Sequence, residues 1–268
     1  MKLFLTSKLL SGAGIVHGFS LRTGGVSSGA FSSLNLSVSV GDAEAAVREN
    51  LDRLGEEAGL RGHVATAHQV HGDRVVDARL REVFASTEPD GGDDERRSRD
   101  SGPLVEADAL LALTDGAVGI RVADCVPILI AAEGAAAAVH SGWRGTRLRI
   151  AARAVRALQH AAGADPARML AAIGPCIGRC CYEVSPELAA SFRALFGPDA
   201  ADDPARGPQP HLDLRYCVEQ ALALAGIPAD RIEQVEGCTS CDTSAFFSHR
   251  RDKGRTGRHL AFIETRVT

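Results

Sequence analysis

The sequence predicts an α+β protein with an antiparallel or mixed sheet, on three observations. An apolar run, Val126–Ala132, meets Glu133-Gly134 and returns over Ala135–His140, the pattern of a hairpin closed by a two-residue turn. Helical segments with apolar residues at 3–4 spacing are interspersed with short strands rather than alternating strictly with them. No internal repeat and no convincing linker divides the chain, so residues 1–268 read as a single domain.

Taken in order, residues 1–14 (MKLFLTSKLLSGAG) are apolar but interrupted by Lys8 and lack a small-residue cleavage site. They read as a first strand rather than a secretory signal. Residues 15–40 read as strand, loop, strand, the loop carrying Arg22-Thr23-Gly24-Gly25. Adjacent glycines admit close backbone approach to a ligand, and Arg22 is a candidate clamp for an anion or polar ring. The alternative is a solvated Arg on a surface loop. Ala43–Ala58 is predicted helical with Asp42 as N-cap and Ala46, Val47, Leu51 and Leu54 on one face. Val64–Ala78 breaks at Gly72-Asp73, just after His68 and His71.

Residues 86–103 are polar and charged without apolar anchors, and read as a flexible insertion. Val105–Ala123 reads as strand, Thr-Asp-Gly turn and strand. Arg147–Ala162 is predicted as one helix ended by Gly163. A strand at Met169–Ile173 precedes the cluster CIGRCCYEV. Helices follow at Pro186–Phe196, with Ser185 as N-cap, and at Leu214–Leu224. A short strand at Ile232–Val235, a Cys-containing loop, a basic turn and a last strand end the chain.

Apolar content of 45 % is enough for a sizeable core, and the net charge of −4 disfavours nucleic-acid binding through bulk charge. No run reaches the ~18 apolar residues of a membrane helix. The expected setting is the cytoplasm. There the seven cysteines, an odd number, point to thiols, metal ligands or packing rather than a disulfide framework.

If the hairpin closes at Glu133-Gly134, Pro127 faces His140, and Cys125 lies on the same face two residues away. Cys125 and His140 are then diagonal neighbours about 7–8 Å apart at Cα. That spacing suits two ligands of one metal, or a thiolate and its base. The alternative is a small buried Cys beside a structural His. Each of His68 and His71, taken alone, reads as structural.

Cys238-x-x-Cys241 is half of a zinc site or a redox pair. Its other half would need Cys180, Cys181 or a His, and no C-x-x-C…C-x-x-C pattern exists, so packing is the preferred reading. The run 249–255 (HRRDKGR) offers Arg250 as an anion ligand or is a solvated turn. P-loop, Rossmann and zinc-deaminase signatures are missing.

Seven segments occur in fixed order: HGFSLRTGGVSSGAFSSLNL, HQVHGDRV, EADALL, VADCVPILI, AAVHSGWRGT, GPCIGRCCYEV and FFSHRRDKGRTGR. Together, over about residues 17–263, they resemble the YfiH-like, laccase-domain-containing family, once called multicopper polyphenol oxidases. The resemblance implies mixed β-sheets sandwiched between helices, similar to the catalytic domain of cytotoxic necrotizing factor. It implies one metal held by His71, Cys125 and His140, with zinc the expected ion and copper the alternative. It further implies phosphorolysis of adenosine, inosine, guanosine and methylthioadenosine, and deamination of adenosine. Polyphenol oxidation and a cysteine-type hydrolysis editing peptidoglycan precursors are the alternatives attached to the family.

Within that reading, Asp124 is a candidate acid/base or orienting group, and Arg22, Arg144 and Arg250 are candidates for substrate and phosphate. The partners expected are purine nucleosides and phosphate, with no nucleic acid and no membrane.

Overall fold

A computed structural model describes residues 2–79, 105–203, 205 and 209–266. The insertion read at 86–103 lies outside the described residues. Two mixed sheets carry the structure. The first has the order β1-β2-β11-β6-β3, from β1 (Phe4–Leu5), β2 (His17–Ser20), β11 (His259–Thr265), β6 (Gly116–Val122) and β3 (Val64–Ala65). The second has the order β10-β9-β7-β8-β5-β4, from β10 (Ile232–Gln234), β9 (Leu170–Ile173), β7 (Val126–Ala132), β8 (Ala135–Ser141), β5 (Ala109–Ala112) and β4 (Val75–Asp77).

Period-2 alternation along β7 explains how the layers stack. Ile128 and Ile130 pack with Val155 and Leu158 of the Ile150–Ala162 helix, Phe192 of the Pro186–Phe196 helix and Val218 of the Leu214–Leu224 helix. Leu129 and Ala131 point the other way, into a second core with Ile120 and Ile263 of the first sheet. On the far side of the first sheet, Leu260 and Phe262 pack with Leu54 of the Glu44–Ala58 helix. Both faces of β7 and β8 are therefore covered, which is why they are apolar from Val126 to Ala132 and from Ala135 to Val139. The layers run helix, sheet, sheet, helices, the mixed sheets between helices that the family resemblance implied.

The hairpin register is the expected one: Ala132 pairs with Ala135 and Pro127 with His140, around Gly134 at φ +68°. Several local expectations are corrected. The N-terminal stretch gives only a two-residue strand and then a helix, Lys8–Gly12, capped by the Ser7 side chain. No second strand forms within 15–40. There the Asn35 amide bonds Ser37 and Asp42, and the chain turns as a 3₁₀ segment at Val38–Val40. Asp42 is consequently not the N-cap; the Glu44–Ala58 helix starts after Ala43, with no side-chain cap. The helix expected over 147–162 is split, with Arg149 left-handed at φ +59° between Trp143–Arg147 and Ile150–Ala162.

The buried face of the Glu44–Ala58 helix contains a polar residue, Asn50. Its amide nitrogen donates to Ser27 Oγ and to the carbonyls of Ser33 and Asn35, and its oxygen accepts from Val26 N–H at 2.8 Å. One side chain thus replaces the missing strand ladder of the 24–37 loop. Asn50→Ala leaves these buried groups unpaired and is expected to cost about 2–3 kcal/mol, read as a lowered urea midpoint at unchanged m-value.

Candidate metal centre

The antiparallel pairing of β5 with β8 matches Ala109 to Val139, so Asp108 stands opposite His140, whose N–H donates to the Asp108 carbonyl at 2.7 Å. The pairing of β7 with β8 matches Val126 to Ser141, which sets Cys125 at the same sheet end. β4 runs parallel to β5, and His71 lies in the loop that enters β4. Four chemically active residues from distant parts of the chain thereby meet at one end of one sheet.

The Cys125 sulfur and one ring nitrogen from each of His71 and His140 lie within 4.8 Å of one another. The two imidazoles meet edge to face, ring centroids 4.8 Å apart. His140 is buried, Cys125 half-buried and His71 exposed, so the cluster opens to solvent on the His71 side. Glycine gives the cluster room: a Cβ on Gly142 would sit 3.0 Å from Cys125 Sγ and 3.2 Å from His71 Cδ2, and would press on both.

Asp108, absent from the candidates named on sequence, organises the centre. Its Oδ1 accepts from His140 Nδ1 at 2.7 Å and from His71 N–H at 2.9 Å, while Oδ2 accepts from Gly72 N–H at 2.7 Å and Val70 N–H at 3.2 Å. These bonds hold His71 in the left-handed region at φ +60°, where an L-residue is strained. They also fix the His140 tautomer, leaving Nε2 for the thiol or a metal. Burial alone would raise the Asp108 carboxyl, but the bonds from His140 and the backbone outweigh it and hold it below the usual carboxylate range. Burial likewise opposes thiolate formation at Cys125. The His140 charge and the bonds from both imidazoles win, bringing that thiol down to about 6. Burial would lower His140, yet the Cys125 and Asp108 charges raise it to about 9.

The other candidates are placed as follows. Asp124, at φ +95°, is buried, its Oδ1 taking the Thr239 hydroxyl at 2.6 Å and its Oδ2 the Arg250 N–H at 2.7 Å. It fastens two loops behind Cys125, and no hydrogen bond joins it to either histidine. Arg250 lies over the Tyr182 ring, its carbon 5.2 Å from the centroid, and Arg144 over Trp143 at 5.0 Å. Trp143, Tyr182 and Arg250 line one open cleft with Val184, Leu188 and Gln209. Arg22 is engaged elsewhere, donating to the Ser32 and Thr243 carbonyls and stacking on Phe247. His68 is exposed and forms an isolated bridge with Glu106, outside the cluster.

A family model described as multi-copper polyphenol oxidoreductase laccase matches residues 16–266. The chain belongs to this laccase-domain family. It is 38 % identical over 263 residues to a protein named purine nucleoside phosphorylase YlmD from Geobacillus stearothermophilus, covering 95 % of this chain and 91 % of that one. It is 34 % identical to a protein named adenosine deaminase RL5 from an unknown prokaryotic organism, covering 90 % and 92 % of the two chains. The crystal structure of YlmD from G. stearothermophilus superposes with a TM-score of 0.82 at 32 % identity, covering 99 % of this chain and 100 % of that one. The two mixed sheets and their flanking helices are thus the architecture of this family's solved members.

The Asp108–His140–Cys125 relay has a measurable pH signature. In metal-stripped protein, Cys125 is a thiolate above about pH 6, whereas burial keeps Cys176 and Cys217 as thiols up to about 11 and 12. Alkylation by iodoacetamide, mapped by peptide, is expected to turn on at Cys125 with a midpoint near 6. Asp108→Asn weakens the imidazolium partner and moves that midpoint upward, toward the ordinary thiol value of about 8.5.

Proposed function

We propose that this chain is a zinc-dependent purine nucleoside phosphorylase that also deaminates adenosine, with His71, Cys125 and His140 as its metal ligands. The reading rests first on the donor set. Two imidazoles and one thiolate converge with one side open, the ligand number of a catalytic zinc rather than a closed structural one. The orienting bond from Asp108 to the far nitrogen of His140 is what a metal-ligating histidine requires. Zinc bound there supplies Lewis acidity and lowers the pKa of water to about 7. The names of the relatives supply the reaction class, and the proposed substrates are adenosine, inosine, guanosine and methylthioadenosine with phosphate, in the cytoplasm. No helix among the described residues is long and apolar enough to cross a membrane.

The chain's own groups divide the remaining work. Trp143 and Tyr182 offer aromatic surface for a purine at the cleft beside the centre. Burial raises the Tyr182 hydroxyl to about 12, and the neighbouring Cys125 and Asp124 charges add to this, so it stays a neutral donor. Arg144 and Arg250, stacked on those two rings, carry the positive charge that a phosphate nucleophile needs. Asp124 sets the Arg250 backbone from below and is assigned to positioning rather than proton transfer.

A second reading has its own observation. Cys125, His140 and Asp108 also form the thiolate–imidazole–carboxylate order of a metal-free cysteine hydrolase, the chemistry expected from a likeness to cytotoxic necrotizing factor and from peptidoglycan-precursor editing. Copper-dependent polyphenol oxidation fits less well, because several coppers need more histidines than nine scattered ones without an H-x-H pair provide.

Incubation with adenosine, with and without phosphate, followed by chromatography separates these readings. Adenine is expected only with phosphate, inosine from deamination with or without it, and hypoxanthine only with phosphate, by phosphorolysis of that inosine. Cys125→Ala is expected to lose both activities by about a hundredfold or more, roughly 3 kcal/mol of barrier, together with one zinc per chain. Full zinc and full activity in Cys125→Ala would refute the assignment. Activity that survives removal of all metal would favour the hydrolase.

A further inference from the structure

Four cysteines that the proposed reaction does not use come together elsewhere in the fold. β9 and β10 are parallel neighbours, and their pairing continues past the strand ends: Cys176 bridges Cys238, and Thr239 N–H donates to the Cys176 carbonyl at 3.0 Å. The turn after β9 carries Cys180 and Cys181, and the turn after β10 carries Cys238 and Cys241. Cys180 Sγ lies 3.6 Å from Cys238 Sγ and 3.5 Å from Cys241 Sγ, and Cys181 Sγ lies 3.3 Å from Cys241 Sγ. All four sulfurs lie within 4.8 Å of one another.

These separations suit a particular chemistry. With Zn–S bonds of about 2.3 Å, tetrahedral sulfurs stand about 3.8 Å apart. A disulfide needs about 2.05 Å, and all four residues are free thiols. The site is also built around its sulfurs. Gly178 N–H donates to Cys238 Sγ at 3.2 Å, the kind of bond that supports a metal-bound thiolate. A Cβ on Gly178 would meet Cys180 Sγ at 3.2 Å and Cys238 Cβ at 3.4 Å. Cys176 stands apart, fully buried with Arg215 Nη2 3.8 Å from its sulfur.

We infer that Cys180, Cys181, Cys238 and Cys241 form a tetrathiolate zinc site, structural and distinct from the His71–Cys125–His140 centre. Four protein ligands fill a tetrahedral ion and leave no position for water or substrate, so the site's work is mechanical. It clips together two turns separated by more than fifty residues, where closing the loop through the chain alone is entropically expensive. The clipped turns matter to the cleft. Tyr182 follows Cys181 directly, and Thr239, between Cys238 and Cys241, donates its hydroxyl to Asp124 beside Cys125.

The test uses the full chain with the other centre removed, Cys125→Ala with His140→Ala, so it does not depend on that centre binding metal. Purified under reducing conditions and dialysed, this variant is expected to retain one zinc per chain by plasma mass spectrometry. Cobalt exchanged into it is expected to give the intense charge-transfer and visible bands of tetrahedral thiolate coordination. Adding Cys238→Ser and Cys241→Ser is expected to take the zinc from one to none. The cobalt spectrum stands on its own should that variant fail to fold. A metal-free double variant overturns the inference, whether its four thiols are free or paired as disulfides, and so does a cobalt spectrum without thiolate bands.

Discussion

One buried carboxylate collects four hydrogen bonds from two distant pieces of chain: three backbone N–H groups of residues 70–72 and the Nδ1–H of His140. Burying a charge is costly unless it is paired and bonded, and Asp108 meets that requirement entirely with the two segments that must be brought together. The left-handed backbone of His71 and the orientation of His140 then become two consequences of the same constraint. The edge-to-face contact of the two imidazoles and the lowered thiol of Cys125 follow from it.

The sheets supply the frame that makes this possible. The registers of β5, β7 and β8 put Asp108, Cys125 and His140 at one sheet end, and covered faces make those registers hard to slip. Loops and the first turns of two helices, rather than strands, provide the cleft beside the centre. Those loops are tied from behind: Asp124 bonds Thr239 and the Arg250 backbone, and the cysteine turns bracket Tyr182 and Thr239. Gln69 adds a further tie, exchanging two hydrogen bonds with the backbone of Arg121 in β6 just before His71. Precision at the centre therefore comes from polar anchors on a rigid apolar frame.

Legibility in the sequence followed the range of the interaction. The hairpin was readable because a two-residue turn fixes its register locally, and with it the approach of Cys125 to His140. The Pro186–Phe196 helix was readable from Ser185 and Pro186 at its start. Asp108 stood in view, a carboxylate inside the apolar segment EADALL, but only the β5–β8 register shows that it faces His140. Asn50 interrupts an apolar helical face, and its role is not legible in the sequence for the same reason: its partners lie on a loop 15–24 residues earlier. The gathering of Cys180, Cys181, Cys238 and Cys241 depends on the parallel pairing of β9 with β10, which no ligand spacing encodes. Arg22 donates to the carbonyls of Ser32, in its own loop, and of Thr243, far along the chain, and the second of these partners has no trace in the local sequence.

If Asp108 is the organiser of a metal centre, weakening it must weaken the hold on the metal. The decisive measurement is the zinc affinity of Asp108→Asn against the unaltered chain, by competition with a chromophoric chelator, with Cys125→Ala marking the level without the centre. Asp108→Asn keeps the shape but removes the charge and turns one acceptor into a donor, and a zinc affinity lower by about 10–100-fold is predicted. Unaltered affinity in Asp108→Asn would contradict the account.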